Sequence, residues 1–71
     1  MNTWKEIKGW KQEAFQRYGL DWFRYSRGPE SVEVADSATI DDMASIGNGA
    51  SIGYMASIGN GASIGNGASI G

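Results

Sequence analysis

From residue 34 to the last residue but one, every sixth position is aliphatic: Val34, Ile40, Ile46, Ile52, Ile58, Ile64 and Ile70. A period of six that never slips constrains the fold more than any other property of this chain, because it rules out most ways of burying those side chains. Two positions before each of these isoleucines stands Ala, and between them a hydroxyl, from Ala38-Thr39-Ile40 to Ala68-Ser69-Ile70. Val32-Glu33-Val34 keeps the same register one unit earlier. In an extended backbone, alternate side chains face opposite ways, so Ala and Ile share the inner face and Ser the outer. Gly-Asn-Gly, repeated at 47–49, 59–61 and 65–67, supplies turns, since Gly and Asn tolerate positive φ. A helix cannot keep a 3.6-residue stripe on this period, and each interior Gly would cost it about 1 kcal/mol relative to Ala. A flexible linker has no use for a regular Ile. The array therefore reads as short strands joined by tight turns.

The hexads, an aliphatic residue followed by Gly or Asp, two variable residues, a small one and one more, resemble the hexapeptide repeat of left-handed parallel β-helix proteins over residues 32–71. The resemblance implies a mainly β fold, a short parallel β-helix with three hexads to a turn. Val34 would then stack on Ile52 and Ile70, Ile40 on Ile58, and Ile46 on Ile64. The left hand of the helix comes from the family alone, with a right-handed β-helix as the competitor. Repeat arrays need covered ends, because an open one exposes apolar cross-section and unpaired edges. The last strand, Ala68-Ser69-Ile70, is expected to stack on a neighbour or to be followed by chain beyond Gly71.

Residues 1–28 have a different chemistry, so two regions are expected, 1–28 and 29–71, joined at the Gly28-Pro29 turn signal. The first holds all six cations, three acids, all three Trp and both Phe; the second has five acids, the last of them Asp42, and no cation. Thr3 with Glu6 forms a capping-box spacing and Gly19 is placed as a C-cap, which predicts an N-terminal α-helix over about residues 3–18. On such a helix Trp4, Ile7, Trp10, Ala14, Phe15 and Tyr18 fall within an arc of about 140°, a broad apolar face. Trp22 and Phe23 extend the apolar material beyond it. Tyr54 and Met55, like Met43, stand at corners where the other hexads place Gly or Asn. Trp4, Ile7, Trp10, Phe15, Tyr18, Trp22, Phe23, Tyr54 and Met55 are the candidate interface residues, because clustered Trp, Tyr and Arg make interface hot spots.

A chain of 71 residues with no Cys and no His is small for a single core and has neither disulfides nor the usual zinc and thiol ligands, which leaves oligomerisation to stabilise it. The resembled family includes acyltransferases with a catalytic His and carbonic anhydrases with three zinc-binding His; neither role can be carried to any position here. Asp36, Asp41 and Asp42 read as turn formers, and no catalytic, cofactor or metal site is expected. Six cations offset by three acids disfavour nucleic acid as a partner, and the same acids disfavour a membrane surface. The opening MNTWKEIKGW has charges at 5, 6, 8 and 11 and reads as neither signal peptide nor membrane span, so the expected location is the cytoplasm or an assembled particle. The reading is a non-catalytic structural or assembly module, a homo-oligomer as a trimer or an end-to-end stack. A protein partner could dock through the aromatic segment, and a phage or other particle component is the architectural analogy. The alternative is the N-terminal part of a longer hexapeptide-repeat acyltransferase.

Overall fold

Val34, Ile52 and Ile70 lie side by side on parallel strands, eighteen residues apart in sequence at each step. The computed structural model describes residues 1–71, and it builds this spacing into three parallel ladders. The strands of the hexads are two residues long: β5 (Thr39–Ile40), β6 (Ser45–Ile46), β7 (Ser51–Ile52), β8 (Ser57–Ile58), β9 (Ser63–Ile64) and β10 (Ser69–Ile70). Thr39 pairs with Ser57, Ser45 with Ser63 and Ser51 with Ser69. The isoleucines go inward as the alternation predicts: Ile46 and Ile52 are fully buried and the serines are not.

The N-terminal half departs from the expected helix. Only α1 (Trp4–Ile7) is helical, one turn started by Thr3, whose Oγ1 accepts the Glu6 amide at 3.3 Å, and ended before Gly9. It follows β1 (Asn2–Thr3). Residues 11–35 form an antiparallel meander of β2 (Lys11–Arg17), β3 (Leu20–Arg27) and β4 (Glu30–Ala35). Gly19 does not cap a helix; with φ of 55° and 76°, Tyr18 and Gly19 make the two-residue turn of a hairpin whose twist suits positive φ at both positions. Gly28, also at positive φ, turns the chain before Pro29. No helix is long and apolar enough to cross a membrane.

Strand β4 joins the two halves. It pairs antiparallel with β3 on one side and parallel with β7 on the other, giving a five-stranded mixed sheet in the order β10-β7-β4-β3-β2. One row of paired residues crosses all five strands, Ala14, Phe23, Val34, Ile52 and Ile70; the last four pack into the core, while Ala14 on the edge strand is exposed. The remaining sheets are β1-β6-β9 and β5-β8. The expected left-handed parallel β-helix is thereby corrected. About half the chain is in strands, but they form separate sheets of mixed direction, with no closed or solenoid sheet. The physical reason lies in the N-terminal segment: instead of standing apart as a helix it adds antiparallel strands to the side of β4 and β6, and the hexad strands are too short to make continuous parallel sheets by themselves. The core gathers Ile7, Val32, Val34, Ile46 and Ile52 with Trp4 and Tyr25, whose rings meet edge to face at 5.0 Å and 76°.

Candidate functional site

The ladders have two sides, and the chain treats them differently. On the side from which β4, β5 and β6 start, the N-terminal segment closes the array. Strand β1 runs antiparallel along β6, the Trp4 amide donates to the Ala44 carbonyl at 2.8 Å, and the Lys5 amide donates to the Asp42 carbonyl at 3.1 Å. The Lys8 ammonium pairs with the Asp42 carboxylate. Ile7 is completely buried beneath this closure. Strand β4 is covered by β3, so β5 alone keeps a bare edge there.

On the opposite side no strand pairs with the outer edges of β8, β9 or β10, although the Ser63 hydroxyl on β9 donates to the Met1 sulfur at 3.4 Å. Between successive ladder strands the hydrogen bonds follow one rule: the amide of the hydroxyl residue donates to an Ala carbonyl, and the amide two residues later donates to an Ile carbonyl. Ser45 and Gly47 donate in this way to Ala62 and Ile64, and Ser51 and Gly53 to Ala68 and Ile70. At the outermost strands the corresponding amides of Ser57, Gly59, Ser63, Gly65, Ser69 and Gly71 meet no strand of residues 1–71. Because a strand residue points its N–H and C=O to the same side, each outer Ser presents a donor and an acceptor together. Behind these edges Ile58 and Ile64 remain 8% and 9% exposed and Ile70 is only partly buried. No charged residue lies beyond Asp42.

The outer face of the five-stranded sheet carries the charges. Phe15 and Trp22 lie 6.2 Å apart across β2 and β3, with the Arg17 guanidinium 4.8 Å from the Trp22 ring and Arg24 4.8 Å from Phe15. Both arginines bind Glu33 at 2.8 Å, one to each carboxylate oxygen. Burial works to raise the Glu33 carboxyl, but these hydrogen bonds outweigh it and hold it below the ordinary glutamate range. Burial, with Asp36 nearby, pushes the Tyr25 phenol up. Beside this cluster an open recess of about 400 Å³ is lined by Arg17, Tyr18, Leu20, Trp22, Tyr54 and Ile70.

The structure separates the candidate interface residues. Trp4, Ile7 and Trp22 are buried within the chain; Trp10, Phe15 and Phe23 are half-buried; Tyr18, Tyr54 and Met55 stand out at 94%, 56% and 67% exposure. Tyr18 and Tyr54 both line the recess, whereas Trp10 lies elsewhere, under the Arg27 guanidinium at 4.7 Å. Leu20, at the recess mouth, was not among the candidates, nor were Ile58, Ile64 and Ile70. The signal for the isoleucines was present in the period: each is the last member of an eighteen-residue column. No three acidic side chains converge as a metal site would require. Comparison with family models, curated proteins and solved structures finds no match to this chain. What the surface offers is the chemistry of strand edges and apolar rings.

Proposed function

We propose that this chain is a non-catalytic structural module that assembles with copies of itself through the uncovered side of its hexad array. The observation that supports this reading is the contrast between the two sides: on one, β1 covers β6 and β3 covers β4, leaving β5 alone bare, while on the other β8, β9 and β10 leave three edges bare above three isoleucines. Bare, uncharged strand edges recruit further strands, and native chains that must stay apart guard them with Lys, Pro or a bulge. None of these stands in Ser57–Gly71. Sedimentation equilibrium across a range of micromolar concentrations tests the proposal. A mass rising above the 7.6 kDa of one chain supports it. A single-chain mass throughout the range contradicts it.

A further inference from the structure

The assembly reading leaves the arrangement of the copies open, and the following inference rests on that reading. We propose that two copies meet face to face about a two-fold axis, uncovered side to uncovered side, with β10 of one running antiparallel to β10 of the other, and that the chain does not stack head to tail.

Three observations carry it. Head-to-tail stacking requires the bare edges of β8, β9 and β10 to meet the opposite side of the next copy. There β6 is occupied by β1 and β4 by β3, so β5 alone can accept a strand. One acceptor that continued parallel stacking would use is engaged as well: the Ala44 carbonyl takes the Trp4 amide. Two thirds of the ladder ends would go unpaired in a stack, whereas a two-fold sets bare edges against bare edges.

The second observation is chemical. In a parallel continuation an outer Ser would donate to one residue of the partner strand and accept from another, whereas in an antiparallel pair two facing Ser residues exchange both bonds with each other, the form that an identical edge related by a two-fold can satisfy. Ser69 opposite Ser69 of a second copy would exchange both bonds and join two five-stranded sheets into one. This is strand addition with the partner's strand supplied by an identical edge, the self-complementary contact that two-fold symmetry requires.

The third is electrostatic. Self-contact about a two-fold places every charge near its own image, so a charged face repels itself. Residues 43–71 contain no charged side chain, Lys5 and Lys8 lie in the segment that closes the opposite side, and the one cation lining the recess beside Ser69 and Ile70, Arg17, is neutralised by Glu33 at 2.8 Å.

The absence of Cys permits single-thiol variants of the full chain, Ser69→Cys and, on the exposed surface of α1, Lys5→Cys, each carrying a nitroxide. At a concentration where the mass is that of an oligomer, labelled Ser69→Cys should lose most of its spectral amplitude to dipolar broadening and recover it on dilution with unlabelled chain. A mixture in which one variant is labelled at position 69 and the other at position 5 should show no broadening beyond that of the Ser69→Cys pairs. Broadening that appears only in the mixture, or a three-chain mass, overturns the two-fold while leaving self-assembly standing. A single-chain mass removes both. Ser63→Cys on β9 serves as a second reporter should the label at 69 itself block pairing; it must broaden against Ser57→Cys or against itself, and silence at all three positions in an oligomer also overturns the inference.

Discussion

A Cβ added to Gly47 would lie 2.5 Å from the backbone nitrogen of Asn66, closer than real Cβ contacts come. Asn66 sits this near because its Oδ1 accepts the Asn48 amide at 2.9 Å, tying one hexad corner to the next. Gly65 occupies the same place one layer further out, where an added Cβ meets nothing within 4 Å. Gly47→Ala should therefore cost about 1–3 kcal/mol, as overpacking against backbone does, and Gly65→Ala within about 0.5 kcal/mol of nothing. Urea denaturation at a dilution that keeps the chain monomeric compares them; equal losses would mean that the corners are not stacked as described.

Met55 has φ of 64° at the hexad position where Gly49, Gly61 and Gly67 are also positive. A Met pays for this conformation sterically, and with 67% of its surface exposed it recovers little by burial. Met55→Asn is expected to raise stability by about 0.5–1 kcal/mol while keeping the amide that donates to Ser37 Oγ. A lower thermal midpoint for the variant would show instead that the Met side chain holds the corner.

Glu33 supplies a pH dependence with a definite sign. Its folded-state pKa lies below its unfolded value, so its contribution to stability is complete above the unfolded value and is lost as pH falls through the folded one. The two arginines are partly exposed, at 35% and 41%, which limits the contribution to about 1 kcal/mol. Glu33→Gln should lose about that much at neutral pH and show a shallower decline in acid than the parent. Parallel acid titrations of the two proteins would contradict the assignment.

Closure by α1 should matter to the fold as a whole. Ile7 is 0% exposed and touches the core through a single helical turn. Ile7→Ala is expected to cost about 2–5 kcal/mol, much of the stability of a chain this small, and Ile7→Val about 0.5–1.5 kcal/mol. Equilibrium unfolding followed by Trp fluorescence measures both; indifference to Ile7→Ala would mean that the N-terminal segment is not a structural closure.

The pairing of residues eighteen apart was legible because it is written as a period: Val34 and the isoleucines mark each inward position, and Gly-Asn-Gly three of the corners. The Thr3 cap was legible for a local reason, a hydroxyl three residues before Glu6. The architecture around them was not. Lys11–Arg17 is made of residues that favour helices, and it becomes a strand because Trp22, Phe23 and Tyr25 pair with it, while those pair in turn with Val32–Ala35. Such non-local pairing overrides propensity. Tyr18-Gly19 misleads in the same place, since positive φ serves a helix C-cap and a hairpin turn equally. Among the candidate residues, Trp4, Ile7 and Trp22 share the composition of an interface hot spot with Tyr18 and Tyr54, and only the fold shows that the first three are buried. The uncovered side was hinted at by the last strand of the repeat, whereas its sealed counterpart depends on β1 folding back along β6, which no local pattern announces.

Amide hydrogen exchange read residue by residue at low and high protein concentration tests the self-assembling edge most directly. The account predicts that the Ser57, Ser63 and Ser69 amides exchange freely in dilute solution and become protected as concentration rises, while Ser45 and Ser51, already bonded to Ala62 and Ala68, stay protected throughout. Exchange at the three outer serines that is fast and unchanged at every concentration would contradict it.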